Sequence, residues 1–486
     1  MAFAIQSGDL LARLRKVAIW THRWLGVAFC LLFAMWFLSG MVLMYWDYPE
    51  VSARDRLDHS PPLDAARIRR SPEQAYAALT RDTPPASVRL FMFDSRPAYQ
   101  FDDALVFADD ASVQDGFPPD LTLRIASNWS AEPLASATRE VIIKPDQWTV
   151  SGEFRPLRPL DKYSWPDGTE VYVSQRTGEV AQSTTRASRL GAYFGAIPHW
   201  LYFTPLRENG RLWNRTVLWA SGAGTVTSLF GLLVGIWIML PAQRIPYKGQ
   251  KRWHALLGLI FGLTASTWVF SGFLSMEPFP FSQGPREMGS KIEGALNSGE
   301  FSFAAFAEKP PQAVLTPTVK QVDFVFVAGE PVYLTQGDHS QLIPVRGDAP
   351  DSGRLLEVVK QAAAPATVVE SRLVTEYEAY YLDRHHQRPL PALFVRFNDP
   401  AGSMFYIDPA TAQIVARYDS ASRWNRWLYH GLHSLDLPWL YRHRPAWDLL
   451  ALALLAGGAW LCVTSVIIAA QLLRRKLRGR PVYTGR

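Results

Sequence analysis

The sequence predicts an α-helical membrane protein with four transmembrane helices in two parallel repeats, each repeat holding an exported α+β domain. Three observations predict it: four long runs without charge, basic residues gathered at one set of run ends, and a second half that repeats motifs of the first.

Hydrophobic residues make up an ordinary 48% of the 486 positions, but they are clustered. Trp24 to Trp46, Thr216 to Pro241, Ala255 to Met276 and Leu449 to Leu473 contain no Asp, Glu, Lys or Arg. Each run is long enough to cross a hydrocarbon core of roughly 30 Å at about 1.5 Å per helical residue. The first is followed by Met44-Tyr45-Trp46-Asp47-Tyr48-Pro49 instead of a small-residue cleavage site, so it is expected to stay attached as a helix.

Lysine and arginine are retained on the cytoplasmic side of short loops, so the flanks orient the helices. Arg13, Arg15, Lys16 and Arg23 precede the first run. Arg244, Lys248, Lys251 and Arg252 lie between the second and third, and Arg474, Arg475, Lys476, Arg478, Arg480 and Arg486 follow the fourth. Both termini are thus expected in the cytoplasm, in a multi-pass protein of a bacterial inner membrane. The expected order is a cytoplasmic N-terminus and first helix over 1–46, exported domain 47–215, second helix 216–241, cytoplasmic loop 242–254 and third helix 255–276. A second exported domain over 277–448, a fourth helix over 449–473 and a cytoplasmic tail over 474–486 complete it. The net charge of +6 is then a topology signal, and it argues against nucleic acid as a partner. Cys30 and Cys462 both lie inside apolar runs, which excludes a disulfide framework, a zinc site and a Cys-ligated iron-sulfur cluster.

The repeat is visible in order. His22, Gly26, Ser39 and Gly40 recur 232 residues later as His254, Gly258, Ser271 and Gly272. Tyr172, Thr177, Ser188, Arg189, His199 and Trp213 recur 234 residues later as Tyr406, Thr411, Ser422, Arg423, His433 and Trp447. Both copies start and end in the cytoplasm, so they are parallel, with equivalent residues at equal depth. Between the helices, Ser71-Pro72-Glu73 carries a helix-start signal. Glu170–Ser174 with Glu179–Ala181, and Met404–Ile407 with Gln413–Ala416, read as hairpins. Glu308-Lys309-Pro310-Pro311 reads as a linker between modules.

His22-Arg23-Trp24-Leu25-Gly26 opening a helix that closes on Ser39-Gly40, the hairpin with Asp408-Pro409-Ala410-Thr411, and His433 ahead of the last run together resemble the PepSY-associated transmembrane proteins. The resemblance implies PepSY-like exported domains and a family that includes inner-membrane ferric-siderophore reductases. It covers the helices and the juxtamembrane parts. The first copy departs from it, reading Ser174-Gln175 where the second has Asp408-Pro409.

Ionisable side chains in or beside membrane helices are costly and mark functional positions. His22, Gly26 and Gly40 share one helix face at about 100° per residue, and so do His254, Gly258 and Gly272. Glycine beside histidine leaves room for a flat macrocycle or for another helix. Eighteen residues rise about 27 Å, which sets Gly40 and Gly272 near the outer surface where His199 and His433 are expected. The candidate ligands are therefore His22, His254, His199 and His433 to the iron of haem b, in two sites, one per leaflet. His430 shares a helical face with His433, and either is the second outer ligand. Proton relay, a metal ion without a macrocycle, and plain hydrogen bonding of the histidines remain open, although no carboxylate lies within the helices to complete a metal shell. Arg189, Arg423 and Arg426 are candidate partners of haem propionates or of lipid headgroups. Trp424, Trp427, Tyr429, Trp439 and Tyr441 read as an interface belt or as cover for a haem edge. His385, His386 and His443 read as solvated.

No Gly-rich fingerprint follows a strand, so electrons are expected from a separate cytoplasmic partner or from quinol. The functional expectation is an enzyme, a haem-dependent oxidoreductase reducing a periplasmic acceptor. Ferric siderophore is the acceptor the resemblance implies, and Fe(II) is released because hard oxygen ligands hold it less tightly. The alternatives are a non-enzymatic protein whose exported domains bind or regulate a periplasmic partner, and a transporter of metal or siderophore.

Overall fold

The computed structural model describes residues 2–242, 245–279, 284–384 and 386–478. The flanking Arg244, Arg480 and Arg486, and His385, lie outside the described residues. Four helices are long and apolar enough to cross a membrane: Ala2–Leu43, Gly210–Ala242, Gln250–Leu274 and Ala446–Leu477. They outrun the charge-free stretches because helices continue through their polar flanks until a breaker such as Gly249, at φ +57°, stops them. Two compact units result, one formed by residues 1–48, 187–282 and 424–486, the other by 49–186 and 283–423.

In the helical unit, the first and third long helices each pack against both the second and the fourth. Small residues let them approach. Phe33 and Val269 press on Gly224, Phe37 on Gly458 and Phe261 on Gly457, so a Cβ at any of these glycines would clash. The outward faces are apolar, with Leu31 69%, Leu263 64% and Trp219 75% exposed, as a lipid-facing surface requires. Short segments join the bundle at one end: Ala196–Trp200 with His199, the π-helical turn Arg426–Gly431, and Pro438–Tyr441.

The other unit is built from β1 (Val88–Phe93), β2 (Arg96–Phe101), β3 (Ala104–Phe107), β4 (Thr138–Ile142), β5 (Leu160–Ser164), β6 (Glu170–Ser174) and β7 (Val180–Thr184). The second stretch supplies β8 (Gln321–Val327), β9 (Glu330–Gln336), β10 (Gln341–Pro344), β11 (Val368–Val374), β12 (Ala392–Phe397), β13 (Met404–Asp408) and β14 (Gln413–Tyr418). Both hairpins expected from sequence are present as β6–β7 and β13–β14. The helix expected after Ser71 is Pro72–Ala77, with Ser71 and Gln74 forming a capping box.

Four-stranded sheets run in the orders β4-β5-β6-β7 and β11-β12-β13-β14, each with an irregularity after equivalent tyrosines, Tyr172 and Tyr406. Both tyrosines are buried, and their hydroxyls donate to Asp146 at 2.8 Å and to Glu378 at 2.6 Å. The third sheet differs from an expectation of one self-contained domain per stretch. Its order is β10-β9-β8-β1-β2-β3, so three strands from each stretch form one sheet through the antiparallel pair β1–β8. Pairing removes one open edge from each three-stranded meander. At its centre Arg89 pairs with Asp323, 234 residues away, and donates to its carboxylate at 3.1 Å. The expected linker at Lys309–Pro311 is instead packed structure: Pro311 is buried, Lys309 donates to Pro344 O at 2.7 Å, and Tyr333 donates to Lys309 O at 2.6 Å. Its prolines suit the 3-10 turn Pro311–Val314, and the Lys309 carbonyl ahead of that turn is satisfied by Tyr333 of β9.

Candidate cofactor site

The four histidines that the repeat singles out meet as two pairs in the helical unit. His22 of the first helix faces His254 of the third, with ring centroids 6.1 Å apart and planes at 29°. His199 and His433 face one another at 6.0 Å and 65°. His22 and Gly40 are separated by eighteen residues, about 27 Å of helical rise. A Cβ on Gly40 would lie 3.4 Å from the His199 ring, so the two pairs sit towards opposite ends of the bundle.

The hydrogen bonds that orient the rings also set their tautomers. His22 Nδ1 lies 2.9 Å from Thr227 O, and His199 Nδ1 lies 3.2 Å from Trp36 O. A carbonyl only accepts, so Nδ1 carries the proton in both. His433 Nδ1 lies 2.9 Å from Ser271 Oγ, whose own proton is given to Trp268 O at 2.9 Å. His254 Nδ1 lies 3.3 Å from Thr464 Oγ1 and from Ser465 Oγ, and both hydroxyls donate to Leu461 O. Those oxygens therefore accept from Nδ1–H. All four imidazoles keep a lone pair on Nε2, the arrangement in which an anchored histidine binds a metal through its other nitrogen. Burial, and then the neighbouring His433, lower the His199 pKa to about 3, while burial lowers His433 to about 4, so both rings are neutral near pH 7.

Metal–imidazole bonds run about 2.0–2.1 Å, which puts the centroids of two imidazoles across one metal about 6 Å apart. Both pairs match that spacing. Among the described residues no group of three or more His, Cys, Asp or Glu is placed to hold a metal ion, so each pair offers two donors only. This donor set suits a metal whose remaining ligands come from a macrocycle. Two further observations fit such a group. Gly40 and Gly272 lie beside His199 and His433, where a Cβ would meet the rings at 3.4 and 3.9 Å, van der Waals contact that leaves their faces open only to small groups. The indole Nε1 atoms of Trp36 and Trp268, one turn from those glycines, are buried without a hydrogen-bond partner. Orphaned buried N–H groups are rare, and two at equivalent positions fit a bound group that brings its own acceptor.

The remaining sequence candidates are dispersed. His430 is exposed, its ring 4.5 Å from Tyr429, and His433 is the residue that faces His199. Arg426 is buried, donates to Asp436 O at 2.7 Å and stacks on Trp427 at 5.0 Å. Arg189 is half-buried on the helix Arg186–Phe194. Arg423 belongs to the sheet-bearing unit, where its guanidinium donates to Gly402 O at 3.0 Å. Trp424 and Trp439 are 67% and 62% exposed, as in an interface belt.

Residues the sequence reading passed over include Gly231, against which the His22 ring packs so closely that a Cβ would lie 2.5 Å from Cε1. Its equivalent is Ser465, so the repeat gives no signal for it. Trp36 and Trp268 did carry one, since they stand 232 apart like His22 and His254.

Four membrane-length helices and a sheet-bearing α+β unit define a multi-pass membrane protein. The chain belongs to the PepSY-associated TM region family, whose model matches residues 19–322. The match takes in His22, His199 and His254 and ends before His433. No curated protein matches the chain.

Proposed function

We propose that this protein is an inner-membrane oxidoreductase that carries electrons through two b-type haems to a periplasmic acceptor, Fe(III) in a siderophore. The observation that carries the reading is the meeting of equivalent histidines in two pairs, each ring held through Nδ1 with Nε2 left to bind. His22 with His254, and His199 with His433, would hold the groups. Haem bound there would supply reversible one-electron chemistry at its iron.

The polypeptide's part is orientation and exclusion of water. Thr227, Trp36, Ser271 and the Thr464–Ser465 pair fix the rings, Gly231 gives the His22 ring room, and Gly40 and Gly272 lie against the His199 and His433 rings. In this reading the chain is two parallel repeats with both ends cytoplasmic and the sheet-bearing unit in the periplasm. Equivalent sheet irregularities at Tyr172 and Tyr406, and basic flanks at one set of helix ends, support it. Electrons would enter from a separate cytoplasmic partner or from quinol.

The test is the reduced-minus-oxidised spectrum and the haem-to-protein ratio of detergent-purified protein, with alanine at His22, His199, His254 and His433. A ratio near two that each variant lowers supports the reading. A colourless protein made with full haem supply overturns it and favours the partner-binding alternative.

A further inference from the structure

Two arginines stack on equivalent tryptophans at the end of the bundle that carries His199 and His433, and they differ in their counterions. Arg444 Cζ lies 4.9 Å from the Trp447 ring centroid, and its guanidinium donates to both oxygens of Asp448 at 2.6 and 2.7 Å. Trp447 donates its indole N–H to Ser434 O at 3.1 Å. Trp213, 234 residues earlier, makes the matching bond to Trp200 O at 2.8 Å. Over it lies Arg207, 4.6 Å from the Trp213 centroid and 5.0 Å from that of Tyr202. The residue after Trp213 is Asn214, where the second copy has Asp448. Arg207 is half-buried, its side chain makes no hydrogen bond among the described residues, and its Nε is buried without a partner.

Stacking holds the guanidinium plane and leaves its in-plane N–H fork available, the geometry that takes an oxyanion bidentately. With no ion pair to its guanidinium among the described residues, Arg207 keeps a charge that an outside anion can neutralise. The surroundings say which anion. Arg207 ends the short helix Thr204–Arg207, just ahead of Gly210, where the second membrane helix begins. Arg211 and Arg215 follow, both exposed, and Leu212 and Trp219 on the same helix are 50% and 75% exposed. At about 100° per residue those four positions cover a sector about 100° wide. A cationic rim above an apolar strip has the form of a phospholipid contact, headgroup on arginine and acyl chain on Leu212 and Trp219.

We propose that Arg207, held on Trp213 and Tyr202, binds the phosphate of an anionic membrane phospholipid whose acyl chain lies along Leu212 and Trp219. The test is native mass spectrometry of the full-length protein in detergent, titrated with phosphatidylglycerol in the presence and absence of inorganic phosphate. Wild type and Arg444→Gln retain the lipid. Arg207→Gln weakens retention about tenfold, as expected for loss of a charge-assisted fork. Asn214→Asp is expected to do the same: Arg207 Nη1 lies 3.6 Å from a Cβ built on Gly210, the position equivalent to Arg444, and residue 214 follows Gly210 by one turn as Asp448 follows Arg444, so the new carboxylate can pair with the guanidinium while the stacked rings stay unchanged. Lipid retention equal to wild type in both variants overturns the proposal. Displacement of the lipid by millimolar inorganic phosphate upholds an oxyanion site at Arg207 but overturns the lipid as its occupant.

Discussion

The two histidine pairs share a spacing and differ in their supports. His199 and His433 are held alike: in each copy a tryptophan carbonyl and a serine hydroxyl from the same helical turn, Trp36 with Ser39 and Trp268 with Ser271, surround Nδ1 or its partner. His22 and His254 are held differently. His22 lies on a backbone carbonyl and against Gly231, whereas His254 meets two hydroxyls, one of them on Ser465, the equivalent of Gly231. At that end His254 keeps Leu461 O, the equivalent of Thr227 O, and adds the two hydroxyls where His22 has Gly231, so the two-fold match is looser there than between His199 and His433. In all four cases ring and support lie on different elements of one copy; the supports match where both copies read Trp-x-x-Ser, at Trp36–Ser39 and Trp268–Ser271, and differ where Gly231 stands against Ser465.

That comparison can be broken at Gly231. Gly231→Leu should push His22 out of line and cut the haem-to-protein ratio by roughly half, with the other signal intact, because a fixed backbone cannot yield to a side chain of that size. Loss of both signals would mean the pairs do not act independently. Next in size, His433→Ala should abolish the His199-side signal while His430→Ala preserves it; the reverse outcome would move the ligand by one turn. Ser271→Ala should weaken cofactor retention about tenfold, and Ser39→Ala less, since Trp36 O still accepts from His199 Nδ1 at 3.2 Å. Ser465→Ala should do less, since Thr464 Oγ1 still lies 3.3 Å from His254 Nδ1. The smallest effect is expected for Trp36→Phe in cofactor-free protein, within about 1 kcal/mol by thermal melting, because the N–H removed has no partner to lose. A larger loss would show that the indole is satisfied from within the polypeptide.

Much of the candidate site was legible because duplication writes each position twice. His22, His199, His254 and His433 stood out by type and spacing, and Trp36 and Trp268 could have been found by the same count. Gly231 could not, since the second copy reads Ser465 and glycine in a membrane helix has many uses. Arg423 shows the limit in the other direction: it recurs from Arg189, yet its guanidinium serves Gly402 O, a local contact that repetition alone does not distinguish from a ligand. The joined sheet was also hidden. Alternating apolar residues identify β1 and β8 as strands, but nothing within either says that its edge is closed by a strand more than two hundred residues away.

The sequence by itself determined that this chain crosses a membrane four times, that histidines recur at equivalent positions in its two halves, on the first and third helices and ahead of the second and fourth, and that a sheet-forming stretch lies between the two helices of each half. Charge-free runs, basic flanks and residue spacing are one-dimensional signals of hydrophobic transfer and helical geometry, so they survive without coordinates. Only the tertiary structure decided that His22 meets His254 and His199 meets His433, that Nδ1 is the anchored nitrogen in all four, and that β1 and β8 make one sheet from two stretches. Those outcomes depend on which surfaces come within hydrogen-bonding distance after the chain packs, and that distance is a property of pairs remote in sequence.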